Sequence, residues 1–165
     1  MMKLLSLTST ALLTGLTMAV GFSGPAQSAA DDVTIITLTQ TPCQFVEAEN
    51  GTDHMYMSKE QADCEKINAE SGDKRVMASE VLTLKPGKYI FRVTNKNVPY
   101  SLGFWLREHD YNWANPLHKV SKISVSGGGM DTGKTLDYEV ELKEGEYFYS
   151  CPLNTTPDYK LLVKS

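Results

Sequence analysis

Three cysteines and one short run of soft donors carry whatever metal chemistry this sequence can do. Cys43, Cys64 and Cys151 are its only thiols, and Cys151 ends an aromatic run, Gly145-Glu146-Tyr147-Phe148-Tyr149-Ser150. Cys151 has three readings. It is a thiolate metal ligand partnered by Cys43, if the strands bring both to one end. It is half of a disulfide stapling the first strand to the last, or it is a small buried hydrophobe. A Cys43–Cys64 bridge competes with the first two. Such a bridge closes a loop of about 20 residues, stabilises by roughly 3 kcal/mol in the chain-entropy model, and leaves Cys151 alone. The two-cysteine metal site then fails. The spacing leaves the pairing open.

The second cluster is His54-Met55-Tyr56-Met57, preceded by Asp53. One imidazole and two thioethers within four residues suit Cu(I), or Cu(II) through the imidazole. The plainer reading is a loop whose methionines pack on the domain. Glu47, Glu49, Asp53, Glu65 and Glu70 are hard oxygen donors of the kind that suit Fe(III) or Ca²⁺. Most are expected on solvated faces, and Glu47, just after Cys43, is the one that could line a site. His109 and His118 are expected to be solvated loop residues. Phe104-Trp105-Leu106 and Tyr111-x-Trp113 are expected to fill the core or cover it. No Ser-His-Asp set or paired acid-base carboxylates are found, so the chain is expected not to be an enzyme. Gly128-x-x-x-x-Gly133-Lys134-Thr135 matches the P-loop pattern letter for letter. The residues that follow alternate with period two, which predicts a strand where nucleotide binding requires a helix N-terminus.

The elements that must position these residues are mostly strands. The chain has 165 residues and a net charge of -4 with no basic stripe, which argues against nucleic acid as a partner. Lys3, the apolar run Leu4–Val20 and a small-x-small site near Ala26–Ala30 predict a cleaved signal peptide over 1–29. That implies an oxidising periplasmic location and no membrane anchor after cleavage. One domain over 30–165 follows. Strands are predicted at Val33–Leu38, Val81–Leu84, Tyr89–Asn95, Val98–Leu106, Val120–Val125, Leu136–Leu142 and Tyr147–Tyr149, with a closing strand before Val163. An insertion at about 48–79 carries one helix over Ser58–Glu70, opened by a Ser58-x-x-Gln61 box and stopped at Ser71-Gly72. Many short strands and a single helix predict a β-sandwich.

The run Leu84-x-Pro86-Gly87-Lys88-Tyr89-x-Phe91-x-Val93-x-Asn95, then Gly145-Glu146-Tyr147, Cys151-x-Leu153-x-Thr155-x-Pro157 and Leu161-x-Val163, resembles the cupredoxin-like domain of EfeO-type periplasmic iron-uptake proteins. It is more distantly similar to blue copper proteins. The resemblance implies an all-β, cupredoxin-like Greek-key sandwich with a metal site at one end. It places Tyr100 and Asn154 where blue copper proteins carry histidines, and Tyr159 near the axial position, so only Cys151 of that ligand set is present. Blue-copper electron transfer is therefore not expected. The expectation is a non-enzymatic periplasmic protein binding a copper or iron ion in metal uptake, handling or delivery. Cys151 and Cys43 would form an inner site lined by Tyr100, Asn154 and Glu47; His54, Met55 and Met57 would form a surface site. Its partner would be a membrane metal transporter or another periplasmic metal-handling protein. The alternative is a metal-free cupredoxin-fold structural or interaction module.

Overall fold

The computed structural model describes residues 33–165, so the predicted signal peptide lies outside it. Nine strands form two sheets. One runs β2 (Gln44–Phe45), β1 (Thr34–Thr41), β4 (Gly87–Asn95), β7 (Thr135–Leu142). The other runs β3 (Leu82–Leu84), β9 (Tyr159–Val163), β8 (Gly145–Ser150), β5 (Leu102–Glu108), β6 (Ser124–Met130). β1 is parallel to β4 and β3 to β9, while the remaining pairs are antiparallel. Chain neighbours β3 and β4, β6 and β7, and β7 and β8 lie in different sheets, so the chain crosses repeatedly between layers. The fold is a two-sheet β-sandwich, as the many short strands predict.

Period-two patterning sets which face of each strand is buried. Tyr89, Phe91 and Val93 turn inward on β4, and Tyr138 and Leu142 do so on β7, where Asp137, Glu139 and Glu141 face water. Between the layers Phe45 meets Phe104, Tyr149 and Tyr159 edge-on, at centroid distances of 6.1, 5.7 and 6.0 Å. Edge-to-face packing adds to the burial of these large rings. Two glycines, Gly103 on β5 and Gly127 on β6, serve close packing. A Cβ on Gly103 would lie 2.5 Å from the Gly127 carbonyl oxygen, and one on Gly127 would lie 2.9 Å from the Tyr138 ring. A strand follows Thr135, as the period predicts.

Two elements depart from expectation. The helix, α1, runs Gln61–Ala78, starting later and ending further on than predicted. Its capping box pairs Glu60 with Asp63, while the Ser58 hydroxyl bonds the Glu60 carbonyl and Tyr100 instead of capping. Gly72 does not end the helix but lies buried within it, beside Asn68 and Pro157. Val120, expected in a strand, lies in the four-residue helix α2 (His118–Ser121) and is exposed. No helix among the described residues is long and apolar enough to cross a membrane.

Candidate metal centres

The end of the sandwich that carries Cys151 is closed by three chain segments. Cys43 sits in the β1–β2 turn, Cys64 on α1, and Cys151 just after β8; all three are fully buried. Cys43 and Cys64 form a disulfide, and Cys151 is a free thiol. Of the pairings the spacing leaves open the structure has Cys43–Cys64, and a sulfur bonded to sulfur cannot serve as the second thiolate beside Cys151. The bridge ties α1 to the sandwich. The helix is polar on most of its surface and buries only Cys64, Gly72 and Arg75. Asn68 adds hydrogen bonds to the Cys43 and Thr155 carbonyls, and Arg75 Nη2 donates to the Cys43 carbonyl at 3.1 Å.

Asn154 is the hub of this end. Its Oδ1 accepts the Cys43 N–H at 2.9 Å, its Nδ2 donates to the Thr41 carbonyl at 2.9 Å and to Gln40 Oε1 at 3.4 Å, and its own N–H points at Cys151 Sγ at 3.3 Å. Cys64 Sγ lies 3.5 Å from the same Oδ1. The buried amide is thus held at both ends by the protein, its Oδ1 accepting once and its Nδ2 donating to two oxygens. Tyr100 is likewise occupied: its hydroxyl is 2.8 Å from Ser58 Oγ and 3.8 Å from Cys64 Sγ. Burial pushes the Tyr100 phenol up, against the pull of its bond to Ser58. Burial also raises Cys151, against N–H groups of Gly103, Asn154 and Leu153 and the Gln40 side chain, which favour the thiolate. The residues at this end do not fit a type 1 copper ion, since one thiol stands where two imidazoles, a thiolate and an axial donor are needed. Tyr159 is not at the site at all. It is fully buried in the core, where its hydroxyl donates to Glu49.

The His54–Met57 segment is built differently. It has no regular secondary structure and runs along the outside of the insertion. Met55 adopts a left-handed backbone, φ 59°, held by a 3.0 Å bond from its N–H to Asp53 Oδ1. Both thioethers are in solvent, with Met55 78% and Met57 85% exposed. His54 is fixed on two sides. Its ring stacks on Tyr56 at 5.4 Å, and its Nε2 lies 2.6 Å from Glu49 Oε2. In the neutral ring that contact places the proton on Nε2 and the lone pair on Nδ1, which has no partner among the described residues.

Glu49 is the residue that sequence reasoning misplaced. Expected on a solvated face, it is only 6% exposed, at the end of the 3₁₀ turn Glu47–Glu49. It accepts from His54 and Tyr159 and faces Arg75 Nε at 3.6 Å. Arg75 is buried too; its guanidinium stacks over Tyr56 at 5.1 Å, and Nε and Nη1 lack hydrogen-bond partners among the described residues. Alternation carries no signal for a carboxylate in a one-turn helix, so nothing in the sequence marked Glu49. Glu47, the carboxylate singled out beforehand, is exposed and accepts the Thr39 N–H at 2.6 Å, away from the other donors. His109 lies against Phe148, and His118 Nδ1 accepts the Asn112 N–H. Trp113, expected to cover the core, is 72% exposed. Among the described residues no three His, Cys, Asp or Glu side chains are grouped as metal ligands.

Neither a protein-family model nor a curated protein matches this sequence. Among solved structures the chain is similar to auracyanin B, at 10% identity and a TM-score of 0.49, over 80% of this chain and 89% of that one. It is also similar to a multicopper oxidase from Pediococcus acidilactici, at 13% identity and a TM-score of 0.41, over 96% of this chain and 31% of that one. Fet3p, described as a multicopper oxidase that functions in iron import, is 11% identical with a TM-score of 0.36, over 95% of this chain and 38% of that one. The chain thus spans about a third of the length of these oxidases.

Proposed function

We propose that this chain is an exported, non-enzymatic copper-binding protein that holds Cu(I) at the His54–Met57 segment and serves copper uptake, handling or delivery in the periplasm. One observation carries the reading: the 2.6 Å contact between His54 Nε2 and the buried Glu49 carboxylate. Imidazoles that bind metals commonly donate their other ring N–H to a carboxylate, which fixes the ring and makes the free nitrogen a better donor. The solvent-exposed Met55 and Met57 sulfurs on the same segment add soft donors that favour Cu(I) over iron. His54 Nδ1, Met55 Sδ and Met57 Sδ would be the ligands and Glu49 the positioning residue, a donor set of the soft kind that suits that ion. An exposed site on an irregular segment suits exchange with a partner, here a membrane metal transporter or another periplasmic metal-handling protein. The resemblance of Cys151-x-Leu153-x-Thr155-x-Pro157 to EfeO-type domains supports a role in metal handling.

The test is an anaerobic Cu(I) titration of the disulfide-bonded protein against a chromophoric chelator. One Cu(I) per chain is expected. Glu49→Gln should weaken it by about 10–100-fold, the usual effect of removing a ligand's hydrogen-bond support, and Met55→Leu/Met57→Leu by at least as much. If the oxidised protein binds no Cu(I), or the methionine variant binds it equally well, the surface reading fails. The closed Asn154 end then supports the second reading, a metal-free cupredoxin-fold interaction module.

A further inference from the structure

We propose that reducing the Cys43–Cys64 disulfide opens a second, three-thiolate site for Cu(I), made by Cys43, Cys64 and Cys151. It goes beyond the surface site, since it shares none of that site's ligands. The argument starts from Asn154, one residue that reaches all three cysteines. Its N–H meets Cys151 Sγ at 3.3 Å, its Oδ1 lies 3.5 Å from Cys64 Sγ, and the same Oδ1 takes the Cys43 N–H at 2.9 Å. Asn154 therefore meets the Cys151 sulfur through its backbone N–H and the Cys64 sulfur through its side chain, and the bridge holds the Cys43 sulfur beside that of Cys64. In the oxidised protein two sulfurs are bonded to each other, so a single thiol is left to bind metal.

Reduction changes the donor count from one to three. A small dithiol attacks one sulfur of the bridge and forms a mixed disulfide, and its second thiol then releases both cysteines as thiols while the reductant becomes the disulfide. Each thiol that binds Cu(I) then loses its proton to solvent. Three thiolates are a soft set of the kind that selects Cu(I). The Asn154 N–H already directed at Cys151 would help to hold the resulting negative charge.

Access to the buried bridge has a structural route. Helix α1 buries only Cys64, Gly72 and Arg75, and residues 52–58 leading into it have no regular structure. An element with so little buried surface is one that opens locally ahead of the sandwich. Lifting α1 exposes the bridge, and the freed Cys64 takes its share of contact with Tyr100 along with it.

The experiment uses the Met55→Leu/Met57→Leu background, which silences the surface segment. Cu(I) is titrated anaerobically against the chelator before and after reduction with dithiothreitol that is then removed, and far-ultraviolet circular dichroism follows the fold. No competitive binding is expected before reduction, and one Cu(I) per chain after it, with thiolate-to-copper absorption in the ultraviolet. Cys151→Ser, which leaves the bridge intact, should weaken binding by the reduced protein by more than the roughly 100-fold that loss of a supporting hydrogen bond costs. Cys43→Ser/Cys64→Ser should bind no Cu(I) with or without reductant. Reduced protein that binds no Cu(I), binds it equally in Cys151→Ser, or has lost its sheet signal would overturn the proposal. Failure of the surface site shows separately, in the oxidised protein with its native methionines.

Discussion

The Asn154 end and the His54–Met57 segment both carry sulfur, in opposite states. At the first, sulfur, amide and phenol are buried and already engaged with one another. At the second, two thioethers stand in water, and an imidazole is anchored through one nitrogen only. Donor types alone therefore do not make a site. What separates the two regions is where the lone pairs go. Asn154 spends its own on stitching the first strand to the last loop, whereas Glu49 takes the proton side of His54 and leaves Nδ1 open.

The largest expected effect breaks the support beneath the open region. Glu49→Ala leaves the Arg75 charge buried without its carboxylate, and removing one partner of such a pair costs about 3–5 kcal/mol. Urea denaturation should show a midpoint shift of that order, with Glu49→Gln intermediate. A negligible shift would mean that Arg75 is solvated and that His54 rests on a weaker base than the geometry gives.

The next effect bears on the closed region. Cys43→Ala/Cys64→Ala removes a cross-link of sequence separation 21 and should cost about 3 kcal/mol. The loss should concentrate in α1, whose amides should exchange faster while those of β4 and β7 stay protected. Uniform loss of protection would show that helix and sandwich unfold as one unit, and would remove the route by which the bridge becomes reducible.

The sheet and the His54–Met57 donors were legible and the residues that support them were not, for one physical reason. Strand faces announce themselves by alternation, as Leu136 to Leu142 and Tyr89 to Val93 do, because burial on one side repeats every second residue. The Cys151–Pro157 spacing likewise carried the fold resemblance. Helix α1 reads short in the sequence because Ser71-Gly72 reads as a stop, whereas the helix runs on through both residues to Ala78. Glu49 also reaches Arg75, 26 positions on, and Tyr159, 110 positions on, and Asn154 reaches back 114 positions to Gln40, contacts that no local pattern encodes. The cysteine pairing was one of the alternatives the spacing left open, and the contact of α1 with the β1–β2 turn decided it.

Acid should separate the regions more gently. Asp63 is held below the usual carboxylate range, first by the Lys59 backbone N–H, and Asp137 is held below it by Arg92. Because these folded-state values are depressed, their contribution is complete above the ordinary carboxylate pKa of about 4 and is lost as pH falls through the lower folded values. Asp63 bonds the Lys59 and Glu60 amides at the start of α1, so those amides should lose protection below about pH 4 ahead of the strands. Simultaneous loss across the sandwich would show that the Arg92–Asp137 pair between β4 and β7 carries as much of the acid response as Asp63.

The smallest stability effect is the most decisive for function. Met55→Leu/Met57→Leu alters two exposed side chains and should change unfolding free energy by less than about 0.5 kcal/mol. If these thioethers were packing elements, as methionines in loops often are, the substitution would register in stability and leave copper untouched. If they are ligands, stability stays and Cu(I) affinity falls. The same pair of measurements on Asn154→Ala should give the reverse pattern, since it strips the buried Cys43 N–H of its acceptor while leaving His54 and both thioethers in place. A protein in which both substitutions behave alike would have no division between a sealed end and an open one, and the copper reading would lose its structural basis.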